Sequence, residues 1–202
     1  MLALHRALKN EGHELVALLN MCDQDSGYSR SHGLKQHLLQ RQAEAMGMLL
    51  VQQGTTRKEY AKNFKVAVNQ LKEKGVEAGV FGDIYLEEHR VWIERVCSEI
   101  DIQPIFPLWG NDTKDLALEL IDVGFKPVIV SVREGFPGKE LLGRIYDHSF
   151  IDEIQKIEEI DICAENGEFH SFVVDGPLFQ KPVSYETGEV YFEDKHWFLE
   201  LN

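Results

Sequence analysis

Apolar residues along this chain follow two alternating rhythms. Stretches with helical spacing are separated by short, continuous apolar runs. Residues 2–9 (LALHRALK) have the helical spacing and are closed by Gly12. His13 to Met21 (HELVALLNM) predicts a buried parallel strand. A polar loop that includes His32 leads to a predicted helix from about Gly33 to Met46, with Leu34, Leu38 and Leu39 toward the core, and Leu49 to Val51 predicts a short strand. The clearest helix follows, because Tyr60, Phe64, Ala67, Val68 and Leu71 form one stripe that Gly75 ends. Ala78 to Ile84 predicts a strand closing in Gly-Asp. Glu87 to Ile100 predicts a helix with Ile93, Val96, Cys97 and Ile100 on one face. Ile105 to Leu108 (strand), Thr113 to Val123 (helix, ended by Gly124) and Pro127 to Val132 (strand) continue the alternation. Strands separated by single helices imply crossover connections, hence an α/β fold with a parallel, Rossmann-like sheet and helices on both faces.

The rhythm changes after Glu134. Gly135, Pro137 and Gly138 break the pattern, and a short helical stretch at Lys139 to Ile145 leads into Phe150 to Ile157. Phe169 to Val174, Val183 to Phe192 (with a turn at Thr187-Gly188) and His196 to Leu201 have strand character. This pattern predicts a nucleotide-binding-type domain over residues 1–134 and a smaller C-terminal α+β region over 135–202.

Composition narrows the function classes. The 202 residues are 44% hydrophobic, enough to bury a real core. Acidic residues outnumber basic ones 34 to 21, for a formal charge of −13, which disfavours general binding to nucleic acid or anionic membrane. No apolar run reaches the length of a membrane span. Cys22, Cys97 and Cys163 lie far apart with no C-x-x-C, a pattern suited to reduced thiols in the cytoplasm and not to a zinc site.

Two clusters offer chemistry. In open parallel sheets ligands bind beyond the carboxyl ends of strands, which directs attention to Asn20-Met21, Gly82-Asp83 and Trp109-Gly110. Behind Asp83 come Glu87, Glu88, His89 and Arg90 in the first turn of a helix, where acidic residues also simply complement the helix dipole. The second cluster is Glu165-Asn166-Gly167-Glu168-Phe169-His170, with two carboxylates, an amide and an imidazole around one glycine. Such a turn could bind a cation, an amine or ammonia. The same residues are also good turn formers, with solvated Glu and His side chains.

The ordered motifs Gly82 to Arg90 (Gly-Asp-Ile, then Glu-His-Arg), Pro107-Leu108-Trp109-Gly110, Gly124 to Val130, Leu142-Gly143-Arg144 and Glu165 to His170 resemble the diphthine–ammonia ligase family. The segment Arg41 to Gly47 fits the same family, so the resemblance spans nearly the whole chain. It implies an N-type ATP-pyrophosphatase domain of HUP type plus a C-terminal substrate region. It also implies a ligase that adenylates a carboxylate with ATP and Mg²⁺ and lets ammonia displace AMP to form an amide. On this resemblance Asn20, Met21, Gly82 and Asp83 border the nucleotide. Glu165, Glu168 and His170 are the catalytic candidates, and His89, Arg90, Asn166 and Gly167 bind the substrate. The expected partners are ammonia and a small-molecule or protein carboxylate. Asn166 and His170 resemble the bacterial branch of the family, which leaves the acyl substrate open.

The family pattern begins with a strand running into Ser-Gly-Gly-x-Asp-Ser, whose backbone amides cradle phosphates. Residues 1–8 (MLALHRAL) match the helix that follows that loop. The first strand of the pattern belongs between those at Leu15–Met21 and Ala78–Ile84. Its absence would expose two apolar strand edges and favour a homodimer. The expectation is therefore that Met1 is an internal methionine. A further expectation is that this sequence, lacking the phosphate loop, is impaired as a ligase or serves as a non-catalytic nucleotide-binding or regulatory module.

Overall fold

A computed structural model describes residues 1–9, 12–29, 33–136 and 138–202, so that His32 and Pro137 lie outside the described residues. In chain order the elements are α1 (Leu2–Leu8), β1 (Ala17–Asp23), α2 (Gln36–Ala45), β2 (Leu49–Thr55), α3 (Tyr60–Lys72), β3 (Ala78–Val80), α4 (Glu87–Ser98) and β4 (Gln103–Ile105). They continue with α5 (Thr113–Asp122), β5 (Pro127–Arg133), a 3-10 turn at Lys139–Leu141, α6 (His148–Ile154), β6 (Phe169–Val173), β7 (Thr187–Glu193) and β8 (His196–Leu201). Two compact units result: Met1–Gly27 with Met48–Asn111, and Tyr28–Gly47 with Asp112–Asn202. No helix among the described residues is long and apolar enough to cross a membrane.

The first unit is the α/β one. β1 pairs parallel with β2 from Ala17↔Leu49 to Asp23↔Thr55, and β3 pairs parallel with β4 from Ala78↔Gln103 to Val80↔Ile105. Among the described residues the two pairs are separate sheets. The predicted stripe on α3 is buried, with Phe64, Ala67, Val68 and Leu71 inside. Phe64 and Val68 pack with Met21 of β1, Ile93, Val96 and Cys97 of α4, and Ile102. Both strand pairs therefore lean on one helical layer, as parallel strands with crossover helices require. The observed β3 ends four residues before the apolar run that predicted it, and β4 lies ahead of the predicted Ile105 to Leu108, sharing only Ile105. Gly82-Asp83 and Trp109-Gly110 consequently sit on loops beyond the strands.

The second unit is built around β5. Its sheet is antiparallel with the order β6-β5-β8-β7. The run PVIVSV predicted a further parallel strand, and here the structure corrects the sequence. β5 is buried because both faces are covered, which parallel and antiparallel strands can share. Val128 and Val130 pack with Leu34 and Leu38 beside α2, Phe172 of β6 and Leu201 of β8. Ile129 and Val132 pack with Ala117 of α5, Phe150, Ile151 and Ile154 of α6, and Phe169. Continuous hydrophobicity reports two-sided burial and says nothing of strand direction.

A second correction concerns the terminal hairpin. Thr187-Gly188 opens β7 instead of making a turn. The reversal comes at Asp194-Lys195, both at positive φ (45° and 64°), between the paired residues Glu193 and His196. Two consecutive left-handed residues make the primed turn whose twist matches a two-residue hairpin.

Caps fix the helix starts. The Asp112 carboxylate accepts from the backbone N–H of Lys114 and Asp115 at α5, and that of Asp147 accepts from Phe150 N–H at 2.9 Å at α6. The Ser149 hydroxyl and the Phe150 N–H, in that order, hold the Asp147 carboxyl below the usual aspartate range. A carboxyl whose pKa is depressed in the fold adds stability above its unfolded pKa and loses it as pH falls through the folded value. Replacing Asp147 by Ala should cost about 1 kcal/mol at neutral pH. In urea unfolding that gap should close as the pH drops below the ordinary carboxylate range. A second prediction addresses β5: Ile129→Ala, at a fully buried position, should cost ~2–5 kcal/mol. The same truncation at Val190, 44% exposed on β7, should stay within about 0.5 kcal/mol.

Candidate functional site

In the first unit the predicted residues gather beyond β3 and β4. The backbone N–H of Gly110 donates to the Ile84 carbonyl at 2.8 Å, tying the two post-strand loops together. The Arg6 guanidinium of α1 donates to the Pro107 carbonyl (3.0 Å) and the Asn111 side chain (3.1 Å), fixing the Pro-Leu-Trp-Gly loop from beneath. Asp83 is half-buried and faces the exposed His89, whose Nδ1 lies 3.4 Å from its carboxylate. Arg90 is committed locally. Its Nε donates to Glu94 at 2.8 Å, and its guanidinium lies 4.7 Å from the Trp109 ring centroid and 5.3 Å from that of Phe106. Cation–π contact of this kind braces the loop and leaves less of Arg90 for a ligand.

Of the other nucleotide-side residues, Gly82 is exposed, and a Cβ there would meet nothing nearer than Ala3 Cβ at 4.0 Å. The backbone at that tip is therefore open to a ligand. Met21 points into the core with α3 and α4, which leaves its main chain as the part able to meet a bound group. Asn20 precedes it on β1, opposite Gln52. Among the described residues no group of three or more His, Cys, Asp or Glu side chains is arranged to hold a metal ion.

In the second unit the Glu165–His170 segment is the end of a tightly wound loop entering β6. Asp161 makes the first turn, its carboxylate accepting from Cys163 N–H at 2.9 Å, and Ala164 N–H returns to the Asp161 carbonyl. Ala164 and Gly167 both have positive φ, and Gly167 N–H closes a second turn on the Ala164 carbonyl at 3.0 Å. Space is ample at Gly167, so its φ of 77° is what calls for glycine.

Glu168 is 1% exposed. One carboxylate oxygen accepts from Asp161 N–H (3.1 Å) and from the Asn166 side-chain amide (3.3 Å). The other, Oε2, is buried and has no partner among the described residues. Glu168 thus staples the loop from inside, whereas Asn166 is exposed and its carbonyl accepts from the Arg133 guanidinium at 2.9 Å. The Cys163 thiol is pushed up to about 12 by burial and by the neighbouring Asp161, Glu165 and Asp112 carboxylates, and it donates to the Thr113 carbonyl. It is a structural thiol and not a nucleophile.

His170 stands on β6 directly opposite Ser131 of β5, which is opposite Phe198 of β8. His196, opposite Arg133, brings its ring centroid to 6.4 Å from that of His170. Ser131 and His196 escape the sequence reading. Ser131 is the lone polar residue inside an apolar strand, and His196 follows a hairpin turn whose Asp-Lys chemistry is easily overlooked. Glu165 and His170 fall at the two ends of one short segment, and Glu168 lies within it.

Comparison with known proteins covers both halves of the chain. Residues 1–104 match the family described as the diphthamide synthase N-terminal domain, and residues 112–202 match the diphthamide synthase C-terminal domain. The diphthine–ammonia ligase of Homo sapiens is 29% identical over 205 residues, covering 89% of this chain and 76% of that protein. Its counterpart from Rattus norvegicus is 28% identical over 203 residues, with the same coverage. That from Danio rerio is 28% identical, covering 88% of this chain and 79% of its own length. With both of its halves matched, the chain belongs to the diphthamide synthase family.

Proposed function

We propose that this protein is an ATP-dependent ligase that adenylates a carboxylate and amidates it with ammonia. The observation that carries this reading is the match of both halves to one family whose curated relatives are named diphthine–ammonia ligases. The geometry supports it on both sides of the reaction. The open backbone at Gly82 and the Asp83 carboxylate offer acceptors to the hydroxyl and amine donors of a nucleoside, with Asn20 and the Met21 main chain as further contacts. His89, exposed beside Asp83, can reach an anionic group, while Arg90 positions the Trp109 loop.

ATP supplies AMP as the leaving group that turns a poor electrophile into a reactive acyl adenylate. The residues present do not give its polyphosphate a cradle. The sequence holds no Ser-Gly-Gly-x-Asp-Ser, and α1 has no side-chain cap bond. Mg²⁺ would travel with the phosphates, since the described residues provide no ligand set of their own. On the acyl side, Glu165, Asn166 and Gly167 of the loop, with His170 at the start of β6, would meet the substrate, and Glu168 holds the loop from within. A second reading is a nucleotide-binding or regulatory module without turnover.

Calorimetry on the 202-residue chain tests the nucleotide reading. AMP and a non-hydrolysable acyl-sulfamoyl adenosine should bind more tightly than ATP. Low-micromolar ATP affinity would contradict the weak phosphate site, and absence of binding by all three at millimolar concentration would sink the nucleotide reading itself. Turnover separates ligase from module. Slow formation of AMP and pyrophosphate that depends on an added carboxylic acid, with amide appearing only when ammonium is present, supports the ligase. Nucleotide binding with no such products supports the module.

A further inference from the structure

One face of the antiparallel sheet carries a polar row across β6, β5 and β8. Ser131 is fully buried, and its Oγ meets no hydrogen-bond partner among the described residues. A buried hydroxyl left in that state costs stability unless something else satisfies it. Directly opposed residues of an antiparallel pair share a face, so His170 and Phe198 flank Ser131 on one side of the sheet. Strands two places apart are separated by about 9.5 Å. The 6.4 Å between the His170 and His196 ring centroids therefore means that the two imidazoles lean toward each other over β5.

The hairpin turn also sets the state of His196. Its Nδ1 lies 2.9 Å from the Asp194 carbonyl, which can only accept, so Nδ1 carries a hydrogen and, in the neutral imidazole, Nε2 keeps a lone pair. Among the described residues nothing bonds to Nε2. The site thus offers two unused lone pairs, on His196 Nε2 and Ser131 Oγ, to a guest that brings N–H or O–H donors. Carboxylate and phosphate bring none. The flanking charges are balanced: Arg133 is engaged with the Asn166 carbonyl and the Phe136 ring, and Glu193 faces His196 from β7. Phe198 closes one side, because its ring lies against Gly33 where a Cβ would come within 2.6 Å. A guest that reaches the fully buried Ser131 has to be small.

We infer that Ser131, His170 and His196 form the ammonia-binding site, with His196 Nε2 as the proton acceptor. This rests on the amide-forming reading above. When ammonia attacks the acyl adenylate, its nitrogen lone pair forms the C–N bond. The bond from the acyl carbon to the AMP oxygen breaks with its electron pair on AMP. The surplus proton on nitrogen passes to His196 Nε2. Ser131 Oγ accepts a second N–H and orients the lone pair outward.

The test follows the imidazole ¹⁵N–¹H signals of His196 and His170 during titration with ammonium chloride, without nucleotide. Tetramethylammonium chloride and sodium acetate at matched ionic strength serve as comparison arms. A saturable shift at His196 with ammonium alone is expected. Ser131→Ala should weaken ammonium binding about tenfold, the loss of one hydrogen bond. Its melting temperature should equal or exceed that of the native protein, because it removes a buried hydroxyl that has no partner. His196→Gln, at a half-exposed position, should keep the fold and lose the response. An equal response to tetramethylammonium, a response to acetate in place of ammonium, or unchanged ammonium affinity in Ser131→Ala overturns the assignment. Ammonium binding without carboxylate-dependent AMP formation would fault the ligase reading and leave the site standing. AMP and amide formation with no ammonium response at His196 would fault the site alone.

Discussion

The two-sided burial of β5 is the constraint on which the second unit depends. This strand sits inside the sheet, with α2 covering one face and α5 and α6 the other, so each of its residues has a fixed neighbour on a fixed side. A shift of one residue would send Val128 and Val130 to the wrong core, and such a register is strongly specified. The irregularity between Ile129 and Ser131 absorbs the one place where the alternation slips. Beyond it Ser131 faces His170 and Phe198, and Arg133 faces His196. The strand that makes the core therefore also sets the spacing of the polar row. On its other edge it is braced first by Gly143–Tyr146, through Ile129 N–H to the Arg144 carbonyl, and only then by β8.

The loop entering β6 is built to the same end by different means. Ile160, Ile162 and Cys163 pack it on the core beside α6, and hydrogen bonds set its shape: Asp161 to Cys163, Gly167 to Ala164, and the buried Glu168 carboxylate holding both Asp161 and Asn166. A buried carboxylate is costly unless its oxygens are used. Glu168 uses one, and the other has no partner among the described residues. The first unit distributes its features differently. Its core is a helical layer of α3 and α4 under two short parallel pairs, and its chemistry is confined to the loops past the strands, where the Arg90–Trp109 stack and the Arg6 bonds supply rigidity.

Much of this was legible from residue spacing. The α3 stripe and the alternation of helix and strand through the first hundred residues follow from local rules and match the structure. Strand direction did not, because the apolar run of β5 carries no signal distinguishing parallel from antiparallel pairing. The hairpin turn was misplaced at Thr187-Gly188, since a glycine outweighs Asp-Lys in turn propensity even where Asp194 and Lys195 adopt the left-handed backbone. At the candidate site, motif order drew attention to Glu165, Glu168 and His170. It could not show that Glu168 faces inward, nor that Ser131 and His196, 39 and 26 residues from His170, stand beside it. Those are facts of register, and register is fixed by long-range pairing.

The central claim is that β5 is the rigid element aligning the site. Residue-resolved native-state hydrogen exchange of the ligand-free protein tests it most directly. The Ile129 and Arg133 amides, bonded to the Arg144 and Glu168 carbonyls, should exchange only when the whole second unit opens, and more slowly than any amide of the edge strand β7. Exchange at Ile129 and Arg133 as fast as in β7 would contradict the account.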